Sequence, residues 1–395
     1  MISVSEASVI INQHPYSPKR EKIDISGAVG RILAESIKAD RDFPPFNRAS
    51  MDGIAICFDS FQKGIRKFKI EGTLAAGEPA FLLKETSNAI EIMTGAVMPT
   101  NADTVIRYED VSISNGVATV TVDSIEKGES IHPQAQDAKV NEVLLSPGIK
   151  ISPAEIALMA SVGKSQVEVF SFPKTAIIST GNELVDINAN PAPHQIRKSN
   201  SYALQAALLS IGCNAHLFHL LDEKTVLETE LKTILKNHEL IILSGGVSKG
   251  KFDFVPTVLE SIGVQKKFHQ VSQKPGKPFW FGASDKHTVF ALPGNPVSTY
   301  MCFYKYIQPW LFKSLGYQIK PLSAVLGKNF SFKPPLTYFL QVRIENESGR
   351  LTAYPDAGGG SGDFANLKNV DGFIELPAEK NDFKMGEAFS YYPFR

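Results

Sequence analysis

At 395 residues the chain is too long for one hydrophobic core, and roughly two to four domains of ordinary size are expected. Hydrophobic residues make up 43% and charged residues 21%, which sets the chain apart from disordered, collagen-like and membrane-spanning classes. Lys plus Arg and Asp plus Glu both number 41, so no global field holds the chain on nucleic acid or an anionic membrane, and any anion binding is local.

The N-terminal MISVSEASVIINQHPYSPKREKID lacks a basic start followed by a long apolar run, and no segment approaches the ~20 apolar residues of a spanning helix. A cytoplasmic location is therefore expected. Cys57, Cys213 and Cys302 are widely separated and in no CxxC spacing, which argues for reduced core thiols rather than disulfides or a structural zinc site.

In chain order, Ser5 to about Ala39 carries helical spacing, including ISGAVGRILAESI, and ends before the loop DFPPFNRASMDG. From Gly53 to about Asp137 the pattern changes to short alternating runs such as KFKIEGTL, AIEIMTG and VATVTVDSI, the mark of a small β-rich domain. Ser152-Pro153-Ala154-Glu155 then opens a second helix, with Gly163 at its stop. The simplest organisation is a discontinuous helical domain, 1–41 with 141–171, carrying the β-rich segment 42–140 as an insertion. From 172 to 316 apolar strands (TAIIS, ELIILS, VFAL) alternate with helices, which predicts a central, parallel, doubly wound α/β domain. From 317 to 395 VLGKNFSF, TYFLQVRIE, RLTAYP and GFIELP predict a small C-terminal β-barrel. The expected fold class is thus multidomain α/β plus β.

Three of the α/β strands run straight into small-residue loops: TGNEL, GGVSKGKFD and PGNPVS. Ligands of open α/β sheets bind beyond the carboxyl ends of strands, so these loops are expected to converge on one crevice. Ser244-Gly245-Gly246-Val247-Ser248 offers consecutive backbone N–H groups with no Cβ in the way, suited to a phosphate or a pterin edge, although a tight strand-to-helix turn uses the same pair. Ser244 to Gly282 holds six lysines against two acids, which favours an anion. Lys274-Pro275-Gly276-Lys277-Pro278 sets two of those cations on a rigid turn, or else simply exposes them to solvent. Asn295-Pro296 fits an N-cap and first-turn proline, pointing a helix N-terminus and Ser298 at the crevice; ordinary helix punctuation leaves Pro293-Gly294 without a reason. Glu183, Asp222 and Asp253 lie in or beyond loops on the same edge, where they serve as caps, as solvated charges, or together as holders of a divalent cation bridging phosphates.

FPPFNRASMDG, EIMTGAVMP, ISTGNEL, SGGVSKGKFDF, KPGKPFWFG and LPGNPVS occur in the order and approximate spacing of the molybdopterin molybdenumtransferase family, which includes bacterial MoeA and the gephyrin E domain. The chain resembles that family over roughly 40–300 by motif and throughout by domain order. The resemblance implies an elongated homodimer of four-domain subunits, with the active site between the α/β domain of one subunit and the β-rich insertion of the other. It implies molybdate and adenylylated molybdopterin as substrates, Mg2+ or a similar cation on Asp222 and Asp253, and AMP as a product. Possible protein partners are the adenylyltransferase and molybdoenzyme apoproteins. By the same resemblance Asp52, Thr94 and Asp137 come from the insertion, and Glu183, Asp222, Asp253 and Lys274 line the crevice. Lys277, Ser298, Arg343 and Ser361 are then the neighbours of molybdate.

The chain also departs from the family pattern. An acid-Asn-Ser run before MDG becomes Asn47-Arg48-Ala49, and the acid of GDEL becomes Asn182. The usual Arg and Gly-Glu-Asp become His132 and Ala135-Gln136-Asp137, and a basic position four before Lys274 is Gln270. Two rival readings are a molybdopterin adenylyltransferase, which needs only the central third of the chain, and a catalytically reduced pterin-binding scaffold.

Overall fold

The uninterrupted apolar runs of the second half have a single physical use: each is buried on both faces of one sheet. The computed structural model, which describes residues 1–247 and 254–395, orders that six-stranded sheet as Ala215–Leu220, Thr175–Thr180, Leu240–Ser244, Thr288–Leu292, Pro278–Ala283 and Gln265–Gln270. Ile177, Ile242 and Phe290 pack on one face against helices Asn200–Leu209 and Pro296–Cys302. Their neighbours Ile178, Ile241, Leu243 and Val289 pack on the other against helices Lys224–Asn237 and Val255–Ser261. The sheet is doubly wound, and the alternation of side chains along each strand is what permits it.

The first four strands are parallel, and the last two run antiparallel to their neighbours. Those two are not evident in the sequence, because QKKFHQ is charged at the sheet edge and PFWFGA is buried without alternation. From the central Thr175–Thr180 the chain steps first to Ala215–Leu220 on one side and then to Leu240–Ser244 on the other. The switch point therefore lies between the ends of Thr175–Thr180 and Leu240–Ser244.

The predicted C-terminal barrel is present as five strands. Thr337–Glu347, Arg350–Pro355, Leu322–Leu326, Ala388–Pro393 and Gly372–Leu376 pair in that order, and the last closes back onto the first. Leu326, Leu340, Val342, Ala353, Ile374 and Leu376 fill its interior. Gln273–Lys274 adds to its edge, in parallel with Thr337 and Tyr338.

By contact density the chain divides into two compact units: residues 1–34, 148–152 and 167–395, and residues 35–147 with 153–166. The second unit carries the alternating runs as a six-stranded sheet ordered Thr104–Arg107, Gly53–Ile56, Ala89–Ile92, Lys67–Leu74, Val117–Val120 and Val111–Ser114. Helix Pro153–Ser161 belongs to it, with Gly163 at φ +73° just beyond its end.

Helical spacing from Ser5 to Ala39 is corrected by the structure. The helix is Val4–Asn12, opened by a Ser3–Glu6 capping box, and Pro15 and Pro18 follow it. Ile32, Leu33 and Ala34 are buried consecutively, which a surface helix does not allow, and Gly30 adopts φ +85°. The backbone of this stretch bonds other extended segments instead: Gly30 N–H donates to Ile151 O, Leu33 N–H to Ile149 O and Ala34 N–H to Glu168 O. Among the described residues no helix is long and apolar enough to cross a membrane.

Phe290 is fully buried, its ring centroid 5.0 Å from that of Phe281 and 5.3 Å from that of Trp310. Phe290→Ala is expected to lower the unfolding free energy of this unit by about 3–5 kcal/mol in urea denaturation. A loss below about 1 kcal/mol would mean that these rings are not a close-packed core.

Candidate active site

At the switch point the strand-tip loops meet in contact. A Cβ on Gly245 would lie 2.6 Å from the carbonyl oxygen and 2.9 Å from Oγ1 of Thr180, and one on Gly246 2.8 Å from the same Oγ1. Both glycines sit in the left-handed region, at φ +101° and +67°. Only glycine satisfies both demands. Gly245 N–H donates to Leu292 O, and the third loop closes in at Gly294, where a Cβ would be 3.7 Å from the Gly245 Cα. The Asn200 side-chain amide ties the loops together, donating to Ser244 Oγ at 2.8 Å and Gly294 O at 2.7 Å.

The cavity so formed has a volume of about 640 Å3. Its wall brings together Glu183, Asp222, Ser244, Gly245, Gly246, Pro293, Gly294, Asn295 and Pro296 of the expected residues. Asn182 Oδ1 accepts from the Asp222 N–H, so a neutral amide here holds the Asp222 loop through an acceptor that an acid would equally provide. Ser248 and Asp253 lie outside the described residues.

Two cations in the wall, Arg197 and Lys198, are not evident in the sequence. They return to the crevice because Leu184–Val185 and Ile196–Arg197 pair as a short parallel ribbon, with Ile196 N–H donating to Glu183 O. Lys198 pairs with Asp186 at 3.2 Å, and that contact above all holds the Asp186 carboxyl below its usual range. The available hint is an Arg-Lys pair directly before the Ser-Asn start of a helix.

Several expected residues stand elsewhere. Because Gln273–Lys274 pairs with the barrel, the Lys274 ammonium lies over the rings of Phe332 and Tyr338, at 5.3 and 5.7 Å, and is not in the crevice wall. The exposed Lys277 is also outside that wall, and Ser298 is buried. Arg343 pairs with Glu345 and stacks on Tyr354. Asn295 does begin its helix but does not cap it: its amide donates to Ser361 Oγ at 2.8 Å, while Val297 N–H is taken by Ser361 O. Ser361 thus closes over the helix start, and its neighbour Gly362 lines the cavity.

Three family models match most of the chain: the MoeA N-terminal region (domain I and II) over residues 2–163, a probable molybdopterin binding domain over 176–313, and the MoeA C-terminal region (domain IV) over 323–394. A molybdopterin molybdenumtransferase of Synechocystis is 41% identical, covering 99% of this chain and 100% of its own length. The chain belongs to the MoeA family. A second molybdopterin molybdenumtransferase, from Haemophilus influenzae, is 31% identical over 100% of the chain and 99% of its own. Two solved structures of the molybdopterin biosynthesis MoeA protein from Pyrococcus horikoshii, 30% and 26% identical, each superpose with a TM-score of 0.83; the first covers 100% and the second 99% of this chain.

The residues that the MoeA resemblance assigns to the insertion form two clusters in the second unit. Thr94 donates through both N–H and Oγ1 to Asp52 Oδ1, at 2.6 and 2.7 Å, and these bonds hold the Asp52 carboxyl below its ordinary range. Nearby, burial and the Glu91 carboxylate push the Tyr108 hydroxyl up to about 12. In the second cluster Arg48 and His132 face each other across paired strands, with Arg48 Nη2 3.3 Å from His132 Nδ1. Arginine only donates, so Nδ1 accepts and the Nε2–H donates to Asp137 Oδ1 at 2.9 Å. A guanidinium thus remains at this spot, supplied by Arg48. Asn47 Oδ1 accepts from Gln134 N–H, Gln136 N–H donates to Pro133 O, and Ala135 holds φ +61° where the family has glycine. Gln270 ends a sheet strand, its carbonyl taken by Ile2 N–H.

Two outcomes follow. Gly245→Ala is expected to cost about 1–3 kcal/mol of stability by chemical denaturation, through clash and strain together; a neutral effect would place Thr180 farther away. Thr94→Val removes one of two donors to the Asp52 carboxylate, so its titration midpoint, followed by carbon NMR, is expected to rise. The stabilisation from Asp52 is present above its unfolded-state pKa and is lost as pH falls through the lower folded-state value. An unmoved midpoint in the variant would assign the depression to another cause.

Proposed function

We propose that this chain inserts molybdate into adenylylated molybdopterin, yielding molybdenum-molybdopterin and AMP, as a transferase of molybdenum cofactor biosynthesis. The observation that carries the reading is the crevice itself: exposed peptide groups, Arg197 and Lys198, and the carboxylates Glu183 and Asp222 share one cavity, in a chain that matches its family end to end. Molybdate and a phosphate-linked pterin are both anions. Bringing them together costs about 4 kcal/mol per unit pair at 4 Å near a protein surface. Arg197, Lys198 and the Gly246 N–H group offset that repulsion and hold the phosphates in place. A central adenylyltransferase alone would have no use for the flanking MoeA regions matched at 2–163 and 323–394.

A divalent cation fits the donor chemistry of the site. Among the described residues no three His, Cys, Asp or Glu side chains gather to hold a metal unaided. Mg2+ asks for less, one or two carboxylates with substrate phosphates and waters, and Asp222 with Glu183 offers carboxylates of that kind, Asp253 being assigned on the resemblance alone. When bound it would neutralise charge on the phosphates. The Glu183 and Asp222 loops orient that edge of the crevice, and Asn182 fixes the Asp222 backbone. We also propose, on the resemblance alone, a cytoplasmic homodimer to which Asp52, Thr94 and Asp137 contribute. The further assignments of Ser248, Lys277, Ser298, Arg343 and Ser361 to substrate, and of 1–41 with 141–171, 42–140, 172–316 and 317–395 as four domains, have the same basis.

The test is AMP release from adenylylated molybdopterin with molybdate and Mg2+ present. Asp222→Asn is expected to lower kcat about 100-fold, and Lys198→Ala to impair turnover more than Lys274→Ala. Tight pterin binding with no AMP release from the unaltered chain would instead select the scaffold reading.

A further inference from the structure

The turn Lys274-Pro275-Gly276-Lys277-Pro278 is seated on the protein core. Gly276 at its centre adopts φ +88°, and a Cβ there would lie 2.9 Å from Nε2 of Gln273, 3.1 Å from Sγ of Cys302 and 3.2 Å from Cε of Met301. Two successive carbonyls of the turn are held: Gly276 O accepts from Gln273 Nε2 at 3.0 Å, and Lys277 O from Val271 N–H at 3.1 Å. Its first residue, Lys274, pairs with the barrel strand at Tyr338. Lys277 is left exposed on a fixed backbone.

Gln273 is the unusual member of this arrangement. It is fully buried, where a methionine would fill a similar volume with no amide to satisfy. Every polar atom of its side chain is engaged, since Nε2 also reaches Cys302 Sγ at 3.7 Å and Oε1 accepts from the Tyr306 hydroxyl. Tyr306 is 2% exposed, and burial raises its hydroxyl well above the ordinary range, so it stays a donor. It belongs to a π-helical turn, Phe303–Ile307, between helices Pro296–Cys302 and Gln308–Ser314. Such a turn changes the direction of side chains along a helix and frequently marks a functional site. This one delivers a hydroxyl to Gln273. A buried polar chain of this kind adds little net stability, because each group gives up water to gain its partner, but it specifies geometry.

We propose that Gln273 and Tyr306 are positioning residues for Lys277, bracing its turn from the core so that its ammonium meets the anionic substrate at a set place. The assignment rests on the function proposed above, in which Lys277 serves molybdate, and adds the interior residues that aim it. A cation ordered in advance gives up no further freedom when the oxyanion arrives. Both residues act through the Gly276 carbonyl.

Hydrogen exchange read by mass spectrometry and molybdate binding read by calorimetry, both on the full chain, test the assignment. The double variant Gln273→Met with Tyr306→Phe removes both polar partners and keeps their volume, so its Tm is expected to fall by less than about 5 °C. Exchange of the amides in 273–277 is expected to quicken at least about tenfold, and molybdate affinity to fall about tenfold. In the AMP-release assay KM for molybdate rises by the same factor, while kcat stays within about threefold. In a Lys277→Ala background the double variant is expected to weaken molybdate no further. Tyr306→Phe alone, which leaves Gln273 bonded to Gly276, is expected to lower affinity about threefold and decides the matter if the double variant does not fold. Unchanged exchange, unchanged molybdate affinity, or a loss that persists without Lys277 would overturn the proposal. Molybdate binding that responds to these variants in a chain releasing no AMP would keep the positioning role and remove the reaction.

Discussion

The approach of two peptide segments at the sheet's switch point governs the rest of the molecule. Thr180 and the Gly245-Gly246 pair lie so close that a single added carbon on either glycine overlaps the threonine. That contact brings the loop carrying Glu183 against the loop after Leu240–Ser244, and Gly294 draws in a third. Asn200 then links the second and third through one amide. Among the described residues, charge joins this neutral framework at Glu183, Asp222, Arg197 and Lys198, which line the same cavity. A site built from backbone carries its shape in the fold itself, which suits the handling of anions that would otherwise repel.

Much of this was legible beforehand, and the reasons are physical. TAIIS, ELIILS and VFAL are short, wholly apolar and followed at once by glycine or proline, a pattern that buried parallel strands produce. The insertion and barrel showed through alternation and turn residues. What failed was periodicity without burial direction. Residues 25–39 have apolar spacing that a helix could use, yet consecutive residues Ile32, Leu33 and Ala34 are all buried among extended neighbours. Side-chain direction was equally hidden. KPGKP announces a rigid turn with two cations, but only the pairing of Gln273–Lys274 with Thr337–Tyr338 shows that Lys274 faces the barrel's rings. Arg197 ends a two-residue strand and Lys198 follows it, with no strand-tip signature in the sequence, and only the ribbon with Leu184–Val185 returns them to the crevice.

The departures from the family pattern gain meaning from their neighbours. His132 in place of arginine reads as a lost charge until Arg48 is found directly across the strand pair, with its guanidinium against the imidazole. Asn182 in place of an acid keeps the acceptor that Asp222 N–H requires. Ala135 is different: it retains a left-handed conformation that glycine adopts more readily, and nothing in the structure explains that choice. Substitutions counted position by position overstate divergence when a neighbouring residue supplies the missing group.

The two-residue pairing of Gln273–Lys274 with the longest barrel strand has a consequence for how such chains can be recombined. Together with the Lys305–Glu375–Tyr392 hydrogen bonds and the Asn295–Ser361 bond, it makes the C-terminal barrel part of the framework that sets the crevice loops. A chimera that exchanges residues 322–395 between relatives therefore breaks three seams at once unless the matching positions at 273–274, 295 and 305 travel with it. The barrel behaves as a buttress, and its evolutionary freedom is limited to the strands that do not bear on those seams.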